Sequence, residues 1–140
     1  PSTNTSTQFM SYRGIENWYG QIFQSIDGVN VNACVYYVNN NPATFADDVF
    51  TGDYINTGIT SVTANGYVKN LVASGKGFVA MDTSGGSAST FVPDYFAPGT
   101  GAMIMNFGGH AGYGANAGGF CLWTYAASYS SVNLGSGLSF

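Results

Sequence analysis

The sequence predicts an α+β domain: an amphipathic helix packed on a small mixed or antiparallel sheet, with long irregular loops between the strands. Three observations predict it. An apolar face at helical spacing runs through Gly14 to Asp27, several later apolar runs have the length and alternation of strands, and turn-forming residues, including 20 glycines, separate those runs.

The helix is expected from Ile15, Trp18, Tyr19, Ile22, Phe23 and Ile26, which fall at i, i+3, i+4, i+7, i+8 and i+11. Gly28 follows the last of them and suits the left-handed residue that ends a helix. Trp18 and Tyr19 are read as core, and Arg13 and Glu16 as an ion pair at the helix start. From Val29 to Val38 the pattern becomes that of a strand, with Val29, Val31, Ala33, Val35 and Tyr37 on one face.

Asn39-Asn40-Asn41-Pro42 is a turn cluster, and Ala43 to Asn65 reads as long irregular loops rich in Asp, Thr and Gly. A short helix or turn is expected around Gly66 to Ser74, then a strand over Gly77 to Met81 and a Gly/Ser loop over Ser84 to Ser89. Further strands are expected at Ala102 to Phe107, ended by Gly108-Gly109, at Gly119 to Trp123 and at Leu138 to Phe140. Phe120, Leu122, Leu138 and Phe140 are expected in the core.

Composition narrows the class of function. With 140 residues the chain is sized for one domain, and its 45% apolar and 16% aromatic content is that of a folded one. Charged residues make up only 7%, against about 25% in ordinary soluble domains. The cations are Arg13, Lys69 and Lys76, too few and too dispersed for a basic patch, and the net charge is −4. Attraction to nucleic acid or anionic lipid is therefore disfavoured. No apolar run approaches the roughly 20 residues of a membrane-spanning helix, so no membrane insertion is expected. The uncharged Gly/Ser/Asn/Thr surface suits extracellular or virion settings. Pro1 and the polar tract after it read as a tether, residues 1–11, from a longer protein, followed by the domain at 12–140. Cys34 and Cys121 leave two readings open, one disulfide or two buried thiols on strands, the second being the plainer.

Catalytic chemistry finds little support. His110 is the one histidine, so a multi-histidine metal cage is excluded. No Gly-x-Ser-x-Gly elbow accompanies it, and a surface or ligand-contact role fits its Gly-rich loop better than that of a general base. Cys121 sits in the apolar run Phe120-Cys121-Leu122, the setting of a core thiol rather than a nucleophile. Asp47, Asp48 and Asp53 lack calcium-loop spacing, and the glycine runs lack a strand–helix phosphate context. No enzyme, cofactor or metal is expected.

Two segments carry a family likeness. Tyr12-Arg13-Gly14-Ile15-Glu16-Asn17-Trp18-Tyr19-Gly20-Gln21-Ile22-Phe23, with Asp27-Gly28-Val29-Asn30-Val31, resembles the opening helix motif of C-type-lectin-like domains in phage tail-fibre and diversity-generating-retroelement variable proteins of the major-tropism-determinant type. Gly108-Gly109, Gly114-Ala115-Asn116-Ala117-Gly118-Gly119-Phe120, Ser130 to Asn133 and Gly135-Ser136-Gly137-Leu138 are similar to the diversified tail of those proteins. Pro93-Asp94-Tyr95-Phe96 matches the segment before the penultimate strand. The likeness spans nearly the whole chain in order. There are departures: the Glu-Pro-Asn, Gln-Pro-Asp and Trp-Asn-Asp triplets of calcium-dependent lectins are missing, and Gly137 stands where a Gly-x-Arg-Leu ending has Arg. A formylglycine-generating enzyme would need a second cysteine near Cys121.

The resemblance implies a C-type-lectin-like fold and a receptor-binding domain whose C-terminal segment meets a host-surface protein or glycan. It would act as a homo-oligomer, a trimer, at a tail-fibre tip or on a cell surface. The contact positions it implies are His110, Ala111, Gly112, Tyr113, Trp123, Tyr125, Ala126 and Tyr129, held by Gly108, Gly109, Gly114, Asn116, Ala117, Phe120 and Leu138. The residue chemistry agrees: rigid Tyr and Trp spaced by Gly, Ser and Ala compose a binding surface, and no Asp, Glu, Lys or Arg follows Asp94. On this reading truncating Trp123, Tyr125 or Tyr129 removes binding and leaves the melting temperature nearly unchanged. The alternative is a virion decoration or fibre domain that packs against copies of itself.

Overall fold

The computed structural model describes residues 11–12, 15–16, 18–90 and 92–135. The described chain is mostly strand and forms a curled half-barrel. Among the described residues twelve strands occur: β1 (Ser11–Tyr12), β2 (Ile15–Glu16), β3 (Phe23–Asn32), β4 (Val35–Val38), β5 (Ile55–Thr60), β6 (Gly66–Tyr67), β7 (Asn70–Ser74), β8 (Gly77–Asp82), β9 (Tyr95–Ala97), β10 (Ala102–Phe107), β11 (Leu122–Tyr125) and β12 (Leu134–Gly135). The main sheet has the order β5-β4-β3-β10-β11-β9-β6, and β12 adds to β3.

The expected α+β architecture is overturned, and with it the helix packed on a sheet that a C-type-lectin-like fold requires. The helical segments among the described residues are short 3-10 turns, Pro42–Thr44 and Ala111–Asn116, the second broken at Gly114. Where the helix was expected, Ile15–Glu16 and Phe23–Asn32 are strands. The physical reason lies in pairing. Gly20 takes φ +81° and donates its N–H to the Gly108 carbonyl at 3.0 Å, which ends any helix there. β3 then lies between β4 and β10, and both edges of its backbone find partners. The 3.6-residue spacing of Phe23 and Ile26 is incidental. Phe23, 1% exposed, lies on one sheet face, and Ile26 joins the core on the other.

Gly28 does adopt positive φ, +76°, but inside β3. There the pairing with β10 jumps from Ile26↔Met105 to Asn30↔Ile104, so Asp27 to Val29 form a bulge. A Cβ at Gly28 would meet the Asn39 carbonyl oxygen at 2.7 Å. The single strand expected over Val29 to Val38 is a hairpin: Ala33 and Cys34 take φ +49° and +63°, the signs of a tight primed turn between β3 and β4.

Other boundaries also move. The helix or turn expected at Gly66 to Ser74 is β6 and β7, and the loops expected over Ala43 to Asn65 contain β5. Short segments such as Asn70–Ser74 carry no period of their own and take strand form through pairing with β8. Ala102 to Phe107 is a strand as expected. The strand expected from Gly119 begins at Leu122, and Phe120, expected in the core, is 64% exposed because it lies in the turn before β11. Trp18 and Tyr19 are half-buried ahead of β3 rather than core of a helix. Leu138, Phe140, Arg13 and nearly all of the tether lie outside the described residues. Cys34 and Cys121 are both buried and free, Cys34 in the hairpin turn and Cys121 just ahead of β11 rather than on strands.

The core fills one face of the main sheet. Val31, Tyr36, Phe96 and Met105, with Ile26 and Leu122, pack against Val68, Val79 and Ala80 of the β7–β8 side. Strand alternation therefore sends Phe23, Ser25, Asn106, Trp123 and Tyr125 to the opposite face.

Candidate functional site

That opposite face carries a continuous layer of aromatic rings. Trp123 and Tyr125 project from β11, two residues apart and hence on one side. Their rings lie nearly parallel, at 6.3 Å and 22°. Tyr95 from β9 stacks on Trp123 at 5.7 Å and 23°, because parallel pairing sets Trp123 beside Ala97 and puts Tyr95 on the same face. Tyr113 stacks on Trp123 at 4.8 Å and 25°, and His110 leans on Tyr113 at 3.9 Å. At the other end Tyr129 lies flat on Tyr125, 4.4 Å apart and within 9° of parallel.

Phe23 anchors the layer from beneath. Its ring lies 5.5 to 5.7 Å from those of His110, Tyr113, Trp123 and Tyr125, mostly edge to face. Such pairs contribute about 0.5–1.5 kcal/mol each beyond simple burial. Beside it Asn106, fully buried, accepts a hydrogen bond from the Ser25 hydroxyl at 2.9 Å, and its amide Nδ2 has no hydrogen-bond partner.

Backbone geometry places the loop residues. Gly108 and Gly109 take φ +93° and +71°, and a Cβ at Gly109 would meet Ala117 at 2.9 Å, so the chain turns sharply out of β10 there. The Ala111 N–H then bonds the Gln21 carbonyl at 3.1 Å, tying the loop to the approach to β3. His110 Nδ1 accepts from the Gly112 N–H at 3.1 Å and caps the 3-10 segment, which leaves the proton of the neutral ring on Nε2. Ala126 opens the turn that swings Tyr129 back: its carbonyl accepts from the Tyr129 N–H at 2.8 Å. The Tyr67 hydroxyl donates to Asn116 Oδ1 at 2.6 Å, and its ring meets Tyr95 at 5.3 Å, so the loop is also held from β6.

Of the eight residues singled out by sequence, His110, Tyr113, Trp123, Tyr125 and Tyr129 share the ring layer. Ala111 and Gly112 lie exposed on the loop beside it, and Ala126 shapes the turn. Of the scaffold positions, Gly108, Gly109 and Ala117 are buried, Phe120 is not, and Leu138 lies outside the described residues. Sequence reasoning missed Tyr95, Tyr67 and Phe23. For Tyr95 a signal existed: in Tyr95-Phe96, as in Trp123-Thr124-Tyr125, one strand sends neighbours to opposite faces. Trp123 and Tyr125 are half-buried against Phe23, so the expectation that either can be truncated without loss of stability is corrected. Tyr129 is 47% exposed, and for it the expectation remains to be tested.

The layer is electrically quiet. Burial lowers the imidazole of His110 below its ordinary 6.5, which keeps it neutral at pH 7. Burial, then hydrogen bonding with Tyr113, raises the Tyr125 hydroxyl well above the usual tyrosine range. Cys121, outside the layer, is pushed up to about 12 by burial and by the charge of Asp94, the reverse of what a nucleophilic thiol requires. Among the described residues no three His, Cys, Asp or Glu side chains are grouped to hold a metal. The arrangement suits recognition by aromatic contact and by hydroxyl and backbone hydrogen bonds. Comparison with family models, with curated proteins and with solved structures finds no match for this chain.

Proposed function

We propose that this chain is a non-enzymatic ligand-binding domain that meets a host-surface protein or glycan with its aromatic face, at the tip of a phage tail fibre or on a variable surface protein. One observation carries the reading. Residues from β11, the loop after β10 and the turn after β11 converge on one uncharged layer of stacked rings, with the exposed loop positions Ala111 and Gly112 beside it. Tyrosine and tryptophan supply large rigid contact area at small cost in conformational entropy. A surface without ionic groups is also cheaper to desolvate. The order of the sequence motifs supports the same function, although the described residues of the opening motif hold strands and a turn rather than a helix.

Tyr129 and Ala111 provide the test, because neither supports the core. Tyr129→Ala should weaken attachment to intact host cells by about 2 kcal/mol, roughly 30-fold, as for an aromatic hot spot. Its unfolding free energy should stay within about 0.5 kcal/mol of the parent. Ala111→Glu should reduce attachment similarly by placing a charge beside the layer. Unchanged attachment in both variants rejects this face as the binding surface. Unchanged attachment with altered sedimentation reassigns it to packing between copies of the chain.

A further inference from the structure

On the side of the sheet away from the rings, the half-barrel is incompletely filled. Between the main sheet and the β7–β8 hairpin lies an open cavity of ≈ 490 Å³, walled by Ile26, Val79, Phe96, Phe107 and Leu122 among others. Its outer wall leaves apolar surface in water: Phe78 is 59% exposed and Leu71 45%. Asp94 is the one charged side chain among the described residues that line it. The carboxylate is held in place, since Oδ1 accepts from the Phe120 N–H at 3.2 Å. Trp18 and Phe120 line the same corner, their rings packed against each other edge to face at 6.3 Å, with Trp18 resting on Gly119. A second lobe of ≈ 300 Å³ opens from the same corner and shares Trp18, Asp94, Gly119 and Phe120.

The volume and apolar lining are those of a small-molecule site, with a few fixed polar groups to orient the ligand. A carboxylate beside two aromatic side chains favours a positive charge, through ion pairing and through attraction of the cation to an open ring face. We propose that this cavity binds a cationic amphiphile: an organic ammonium group at Asp94, beside Trp18 and Phe120, with its hydrocarbon portion laid along Phe107, Leu122 and Val79. The hydrocarbon covers apolar wall that otherwise faces water, and the ammonium group meets the charge that an alkyl chain alone would leave unpaired. This site is separate from the aromatic face, which lies across the sheet.

The test is calorimetric titration of the protein with butyl-, hexyl- and octyltrimethylammonium below their micelle concentrations, with octanol and octanoate as controls. Octyltrimethylammonium should bind saturably and roughly tenfold more tightly than octanol. Octanoate should bind most weakly, and each added methylene should tighten binding roughly three- to fourfold. Asp94→Asn keeps an oxygen for the Phe120 N–H and should erase the preference for ammonium over alcohol. Phe78→Ala should weaken both equally, and Tyr129→Ala should change neither. No saturable binding, octanoate binding as tightly as the ammonium, or a preference that survives Asp94→Asn overturns the proposal. So does loss of binding in Tyr129→Ala, which would place the probe on the aromatic face instead; that result leaves the attachment test of the face untouched.

Discussion

At the scale of residues, His110 shows how one side chain serves both order and neutrality. It caps the 3-10 segment through Nδ1 and packs against Phe23 and Tyr113. Because burial lowers its folded-state value below 6.5, the unfolded chain takes up a proton first as pH falls. Stability should therefore be full above about pH 7 and decline as pH drops below about 6.5, until the folded ring is protonated as well. The chain has no other histidine, and the carboxylates of Asp53 and Asp82, held low by hydrogen bonds, release their contribution only below 3.8. Urea denaturation at about pH 7.5 and about pH 5 should show the decline, and His110→Asn, which retains a capping acceptor, should remove it. Persistence of the same slope in the variant assigns the effect elsewhere. His110, Tyr113, Trp123, Tyr125 and Tyr129 were legible as a group because residue type, glycine spacing and lack of charge all appear in the sequence. Phe23 and Asn106 were not, since nothing local marks which buried residue lies beneath which ring.

At the scale of elements, the turn out of β10 is the joint on which the aromatic loop depends. Gly109→Ala faces two costs, a left-handed backbone worth about 1–2 kcal/mol and the approach to Ala117. Gly85, at φ +74°, has nothing near its missing Cβ, so Gly85→Ala bears only a backbone cost. Equilibrium unfolding should rank Gly109→Ala as the more damaging of the two, and equal losses would show that the crowding is relieved by small shifts. The strands Gly77 to Met81 and Ala102 to Phe107 were readable from apolar runs bounded by turn residues. The error at Gly14 to Asp27 came from the same kind of evidence. Over the 12 residues from Ile15 to Ile26 a helical period also fits two strands, β2 and β3, with the turn at Gly20 between them, and only the partners β4 and β10 separate the cases. Phe120 failed for a related reason: an apolar residue at the end of a turn has the same letter as one at the start of a strand.

At the scale of the molecule, scarcity of charge should make the fold nearly indifferent to salt. Among the described residues Lys69 and Asp82 form an ion pair at 3.5 Å, about a third exposed, and a pair of that kind contributes about 0–1 kcal/mol. The unfolding free energy should shift by less than about 0.5 kcal/mol between low and moderate sodium chloride. A larger shift would reveal ionic contacts that the strand pairing does not explain. By itself the sequence determined the scarcity of cations and the stretch in which the aromatic residues of the face are concentrated, because these follow from composition and order alone. Tertiary structure decided that Phe23 to Asn32 is strand and that Tyr95 and Tyr67 join the rings. It also decided that the far side of the sheet is left open beside Asp94. Each of these depends on which distant segment supplies the hydrogen bonds and the facing side chain, as when β3 pairs with β10, and no local pattern encodes that choice.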